Sequence, residues 1–202
     1  DGDRAPLADL AALADANDAV LIIDEAHATG VFGEGGRGLA AALEGRDNVI
    51  TLHTCGKALG CEGALVCAPA VVNDFLVNRG RGFIFSTAPS PLMAAAARAA
   101  LRIIETADDR RAKLAALITH AERTLSPHGA LCSGSQVMPL ILGDDARTMR
   151  AAGAVQDAGF DVRGIRPPTV PAGTSRLRIS LTLNATQDDV SALAAVLEEV
   201  LA

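Results

Sequence analysis

A chain of 202 residues, 50% of them apolar and with a mean hydropathy of +0.27, can bury a substantial core, which excludes an intrinsically disordered protein. Its 18 Lys and Arg stand against 24 Asp and Glu, and the resulting charge of −6 excludes an extended cationic surface for nucleic acid or anionic membrane, though not a local basic pocket. No apolar run approaches the ~18–20 residues of a membrane span, and Asp1-Gly2-Asp3-Arg4 lacks the basic and apolar regions of a signal peptide, so the expected location is the cytoplasm.

Pro6-Leu7-Ala8-Asp9-Leu10-Ala11-Ala12-Leu13 spaces its leucines every third residue behind a proline and predicts an amphipathic helix. Residues 19–23 read as a buried strand that ends at Asp24. A glycine-rich loop (30–38) follows, then a short alanine-rich helix to about residue 44, a second strand at 49–52, the loop that carries Lys57, and a strand at 63–68. Phe83-Ile84-Phe85-Ser86-Thr87 reads as a strand ending in hydroxyls. Ser90 and Pro91 then cap a long alanine-rich helix to about residue 106.

Asp108-Asp109-Arg110-Arg111 is a charged joint, read as a solvated helix start, and the helix continues from 113 to 125 until Ser126-Pro127-His128-Gly129 stops it. A domain boundary is placed here, with residues 1–107 in one domain and 108–202 in a smaller α+β unit. In the second domain the expected order is strand 137–142, helix 146–158 closed by Gly159, strand 160–163, a proline-rich turn at 166–173, strand 176–183 and helix 187–201. Along the last strand Leu177, Ile179, Leu181 and Leu183 share one face, and Arg176, Arg178, Ser180 and Thr182 share the other.

The chemistry concentrates at two strand ends. Leu21-Ile22-Ile23-Asp24-Glu25-Ala26-His27 and His53-Thr54-Cys55-Gly56-Lys57-Ala58-Leu59-Gly60 offer an acid, an imidazole and a lysine. The intervening length suits the crossover between parallel strands, and open α/β sheets bind ligands outside the carboxyl ends of their strands. Pyridoxal phosphate needs a lysine for its Schiff base and a carboxylate to keep its pyridine nitrogen protonated, so Lys57 and Asp24 are the candidates. Gly56, Gly60 and Gly63 permit close ligand approach, Thr54 offers a hydroxyl to a phosphate, and His27 follows the acid into the same crevice. Read blandly, Lys57 is a solvated loop lysine and His27 a hydrogen-bonded, partly buried histidine.

A strand ending in Asp-Glu-Ala-His also occurs in helicase cores, where the acid holds magnesium. Such proteins need an upstream G-x-x-x-x-G-K-[ST] loop, whereas the one Gly-Lys pair here, Gly56-Lys57, lies downstream and precedes Ala58. The cysteines at 55, 61, 67 and 132 have neither zinc spacing nor the density of a disulfide scaffold; they read as reduced thiols, the first three as packing residues. No metal site is expected. No catalytic role is assigned to His53, His120 or His128.

Taken together, these motifs resemble those of the α-oxoamine synthases, pyridoxal phosphate enzymes that condense an amino acid with an acyl-CoA and release carbon dioxide. The resemblance runs through Asp1-Gly2-Asp3, Asp24-Glu25-Ala26-His27, Gly30-Val31-Phe32-Gly33, Gly36-Arg37-Gly38, Thr54-Cys55-Gly56-Lys57, Phe85-Ser86-Thr87-Ala88-Pro89-Ser90-Pro91 and the stretch from Ile165-Arg166-Pro167-Pro168 to Ser175-Arg176-Leu177-Arg178. This last stretch looks most like the biotin-pathway branch; branches using glycine or serine tend to vary Arg-Pro-Pro.

The resemblance implies an α/β fold: part of the large domain of a fold-type I transferase, followed by the small α+β domain. It implies that Asp24 pairs with the pyridine nitrogen, that His27 meets the ring hydroxyl and helps position the thioester, and that Lys57 binds the cofactor and moves the Cα proton. Thr54 would contact the phosphate, Ser86 or Thr87 the phosphate of a neighbouring subunit's cofactor, and Arg178 with Arg166 the substrate carboxylate. A homodimer with a shared active site follows. Two departures are His53 and Cys55 around the threonine, and Leu183-Asn184-Ala185-Thr186 near the end. The family's N-terminal portion, with a ring-stacking histidine, has no counterpart here, so the chain reads as a fragment expected to be inactive or barely active alone. Aminotransferases of the same fold often carry a tyrosine three residues after the aspartate; here that position is His27 and the chain has no Tyr, which weakens that reading. The alternatives are another α-oxoamine synthase, of the 2-amino-3-ketobutyrate, 5-aminolaevulinate or serine palmitoyltransferase type, and a non-catalytic cofactor-binding or partner subunit.

Overall fold

The computed structural model describes residues 1–201 and divides into two compact units, Ala5–Arg111 and Asp1–Arg4 with Ala112–Ala202. The first contains α1 (Leu7–Ala16), β1 (Leu21–Asp24), 3-10 turns at Glu34–Gly36 and Ala41–Leu43, β2 (Val49–Thr54), β3 (Ala64–Cys67), α2 (Ala70–Arg79), α3 (Arg81–Ile84), α4 (Pro91–Glu105) and the first turn of α5 (Asp108–Leu125). Its sheet has the order β1-β2-β3, the first pair parallel and the second antiparallel. β2 alternates strictly between buried and half-buried residues, as a strand with one covered face must. Val49 joins Ile23 and Ala40 in a small core on that covered face.

The second unit holds the rest of α5, a 3-10 turn at Ser126–His128, β4 (Val137–Gly143), α6 (Asp145–Asp157), β5 (Arg163–Ile165), β6 (Ser175–Ser180) and α7 (Gln187–Leu201). Its antiparallel sheet runs β4-β6-β5. Leu117, Leu125, Met138, Val155, Leu177 and Leu197 belong to one apolar core contributed by all three helices and the sheet. Leu177 sits on the central strand with 0% exposure. Leu177→Ala should therefore lower stability in urea unfolding by about 2–5 kcal/mol, whereas Leu183→Ala, at a residue 45% exposed, should cost under about 1 kcal/mol.

Some expected elements take another form. Residues 83–87 do not make a strand: Phe83 and Ile84 donate their N–H groups to the Gly80 carbonyl and close the single turn of α3. Phe83, Ile84 and Phe85 have strand propensity but no partner strand among the described residues, and an unpaired strand has no stability of its own. The expected alanine-rich helix shrinks to the turn Ala41–Leu43, and α2, absent from the sequence reading, forms over Val71-Val72-Asn73-Asp74-Phe75. Near Asp108 the two acids form the first turn of α5, where the helix dipole favours them. Arg111 is not solvated: its guanidinium donates to the Ile104 carbonyl (2.7 Å) and to Asp108 (2.6 Å). Ser90 caps α4 as read, accepting from the Leu92 N–H at 3.2 Å. No described helix is long and apolar enough to cross a membrane.

Candidate active site

In the parallel pair, Asp24 of β1 lies opposite Leu52 of β2. Side chains alternate along a strand, so Thr54, two residues past Leu52, shares the face and the carboxyl-end position of Asp24. The ladder runs one residue further, with the Glu25 N–H donating to the Leu52 carbonyl at 2.8 Å. The chain then coils into one helical turn in which the N–H groups of Ala28 and Thr29 both donate to the Glu25 carbonyl at 2.9 Å. His27 is exposed on this turn. The Asp24 carboxylate is exposed; Oδ1 accepts from the Ala26 N–H at 2.8 Å, leaving its other oxygen available.

Lys57 occupies the turn beyond β2. That turn is closed by the Cys55 N–H on the Gly63 carbonyl and the Cys61 N–H on the Cys55 carbonyl, each 2.8 Å, and by the Gly60 N–H on the Lys57 carbonyl at 3.0 Å. Cys55 and Leu59 pack against Ala97 of α4, so the turn is pinned on both sides of the lysine. The Lys57 ammonium is exposed and makes no ion pair or hydrogen bond among the described residues. Thr54 Oγ1 accepts from the Gly56 N–H at 3.3 Å. Burial pushes the Cys55 thiol up, with neighbouring Cys61 adding to the effect, which suits a packing residue; Cys67, by contrast, is exposed.

The glycine loop packs onto both parts. A Cβ at Gly30, whose φ is +79°, would lie 2.8 Å from that of Ala58, next to Lys57. One at Gly38, φ +100°, would lie 2.8 Å from the Glu25 carboxyl carbon. Glu25 is 2% exposed and accepts from the Ala40 N–H, so it holds the far end of the loop against the turn that follows Asp24. A cavity of ≈ 420 Å³ lined by Arg46, Val49, Thr51, Cys67 and Asn73 lies toward the opposite end of β2 and includes none of the candidate residues.

Asp24, His27, Thr54 and Lys57 thus cluster at two neighbouring strand ends. Ser86 and Thr87 lie on an exposed segment after α3, with Ser86 Oγ donating to the Gly82 carbonyl at 2.6 Å. Arg166 and Arg178 belong to the other unit. Arg178 is exposed on β6, between Pro139 and Arg163 in register, and has no partner among the described residues. Its neighbour Arg176 is 7% exposed, paired with Asp1 and donating to the carbonyl and hydroxyl of Thr174 at 2.9 Å. Sequence reasoning passed over Glu25 and Thr29 and gave His53 no catalytic role. The alternation along β2 already placed His53 beside Thr51 on the buried face, a signal for a hydrogen-bonded imidazole.

The family model of aminotransferase class I and II matches residues 1–197. The 8-amino-7-oxononanoate synthase of Anaeromyxobacter dehalogenans (strain 2CP-C) is 46% identical over 204 residues, aligned to 100% of this chain and 51% of its own length. Among solved structures, SPT with PLP superposes with a TM-score of 0.89 at 27% identity, over 98% of this chain and 51% of that one. The 8-amino-7-oxononanoate synthase of Francisella tularensis superposes with a TM-score of 0.80 at 27% identity, over 95% and 58%. The chain spans about half the length of the curated relatives it matches. With the match running through both sheets, the chain belongs to the aminotransferase class I and II family and has its fold.

Proposed function

We propose that the protein carrying this chain is a pyridoxal-phosphate-dependent C-acyltransferase of the α-oxoamine synthase group, acting as an 8-amino-7-oxononanoate synthase. It would join L-alanine to pimeloyl-CoA and release CoA and carbon dioxide, a step of biotin synthesis. The observation that carries this reading is the register of β1 on β2, which sets Asp24 and Thr54 on one face at adjacent strand ends, with Lys57, unpaired among the described residues, on the next turn. The 46% identity to a synthase of that name supports the choice of reaction.

The donor set fits the cofactor. Among the described residues, Lys57 offers a free amine to an aldehyde, Asp24 a carboxylate oxygen without a partner, and Thr54 a hydroxyl whose hydrogen is not committed to the Gly56 contact. When bound, pyridoxal phosphate supplies an electron sink for the carbanion formed at the amino acid Cα. Asp24 holds a proton on the ring nitrogen by charge, Lys57 takes the Cα proton and returns one, and His27 donates to the ring hydroxyl and orients the thioester. Thr54 binds the phosphate, joined by Ser86 or Thr87 across a homodimer interface, while Arg178 and Arg166 grip the substrate carboxylate. A cytoplasmic location goes with this metabolic role.

The test is turnover by the native polypeptide of L-alanine, glycine and L-serine, each with pimeloyl, acetyl, succinyl and palmitoyl thioesters, followed by thiol release. Alanine with pimeloyl-CoA should give the highest kcat/KM. Preference for serine with palmitoyl-CoA would move the protein to another branch of the group, and cofactor binding without turnover of any pair would make it a non-catalytic subunit. Mixing Lys57→Ala protein with a Ser86→Ala/Thr87→Ala variant should restore part of the activity if the site is shared between subunits.

A further inference from the structure

His53 is 7% exposed, and both of its ring nitrogens are in contact with hydroxyls. Nδ1 lies 2.8 Å from Thr29 Oγ1 and Nε2 lies 3.0 Å from Thr51 Oγ1. Thr29 Oγ1 in turn donates to the Glu25 carbonyl at 2.9 Å. Thr29 and Thr51 are themselves buried, at 5% and 1% exposure.

The hydrogens of this chain have one assignment that uses them all. If Thr29 gives its hydrogen to Glu25, its oxygen must accept from Nδ1–H; Nε2 is then bare and accepts from the Thr51 hydroxyl. A ring protonated at Nε2 would leave the Thr51 hydroxyl hydrogen, which has no other acceptor among the described residues, unsatisfied in a buried site. The doubly protonated ring would do the same. The run Thr51 → His53 → Thr29 → Glu25 carbonyl is therefore continuous and directional.

It also connects the two halves of the candidate site. Thr51 and His53 belong to β2, and His53 immediately precedes Thr54 and the Lys57 turn. Glu25 and Thr29 bracket the helical turn that carries His27 and begins directly after Asp24. The backbone ladder between β1 and β2 ends at Glu25, and beyond that point the imidazole provides a side-chain link between this turn and β2.

We propose that His53, in its Nδ1–H tautomer, is a positioning residue that fixes the Asp24–His27 turn against the Lys57 strand and so sets the cofactor-binding geometry. The proposal rests on the pyridoxal phosphate reading above for its consequence, though not for the hydrogen-bond chain itself.

Two measurements on the native polypeptide test it. Imidazole ¹⁵N spectra of histidine-labelled wild type, with His53→Asn used to assign the signal, should show a protonated Nδ1 and a bare Nε2; an Nε2–H or doubly protonated ring overturns the proposal. Pyridoxal phosphate affinity, measured by equilibrium dialysis, should fall about tenfold in His53→Leu and in Thr29→Val, each of which removes the hydrogen bond between the two residues. His53→Asn, which keeps a donor near the Nδ1 position, should recover most of that loss, and the His53→Leu/Thr29→Val double variant should lose no more than either single one. Unchanged affinity in Thr29→Val, or additive losses in the double variant, overturns the proposal. Wild-type protein that binds no pyridoxal phosphate would instead overturn the functional reading, with the ring spectrum still deciding the hydrogen-bond assignment.

Discussion

Lys57→Ala should lower kcat with L-alanine and pimeloyl-CoA by at least about 10⁴-fold, because in the proposed function one side chain would both anchor the cofactor and move the Cα proton, and each duty alone is worth orders of magnitude. Borohydride treatment of wild type should fix pyridoxal phosphate to the peptide containing Lys57, and the alanine variant should carry no such label. Lys57→Arg separates charge from nucleophilicity. The guanidinium stays protonated and cannot form the imine, so this variant should be as inactive as alanine although the site keeps its cation. The fold should tolerate all of these changes, since the lysine side chain is exposed and makes no ion pair or hydrogen bond among the described residues, while Cys55 and Leu59 anchor the turn. Labelling of another lysine, or substantial activity in either variant, would remove Lys57 from its assigned role.

Asp24→Asn should reduce kcat by about 10²–10³-fold, the range seen when one preorganised electrostatic partner of the reacting group is removed. The substitution is a clean one. An asparagine oxygen can still accept from the Ala26 N–H, so the turn after β1 keeps its local hydrogen bond while the charge proposed to face the ring nitrogen is lost. Asp24→Glu retains the charge on a longer arm and should recover part of the loss. Both variants should keep the wild-type unfolding midpoint, since the carboxylate is exposed. Full activity in Asp24→Asn would mean that the pyridine nitrogen is held by another group.

Much of this protein was legible one strand at a time. The apolar run 21–23 before Asp24 and the alternation Val49, Thr51, His53 against Ile50, Leu52, Thr54 marked strands, and the candidate residues fall at their carboxyl ends, where open α/β sheets bind ligands. Ser90-Pro91 located the start of α4, since a hydroxyl cap and a proline at the first helical position satisfy the same free backbone end. Phe83-Ile84-Phe85 misled because strand propensity describes a side chain's fit to a pleated surface, and no neighbouring strand among the described residues provides one.

Residue types, spacing and periodicity by themselves determined that Asp24, His27 and Lys57 follow the ends of two apolar strands, and the family resemblance of the motifs supplied the class of fold, because strands depend on local backbone preference and on which faces must be covered. Only the tertiary structure decided that Asp24 stands opposite Leu52, that Asp1 pairs with Arg176 on a face the alternation marked as polar, and that His53 joins β2 to the turn after β1. Each of these depends on strand register or on a contact between residues distant in sequence. A buried polar group takes whichever partner the packed chain brings within reach, and no local pattern specifies that partner in advance.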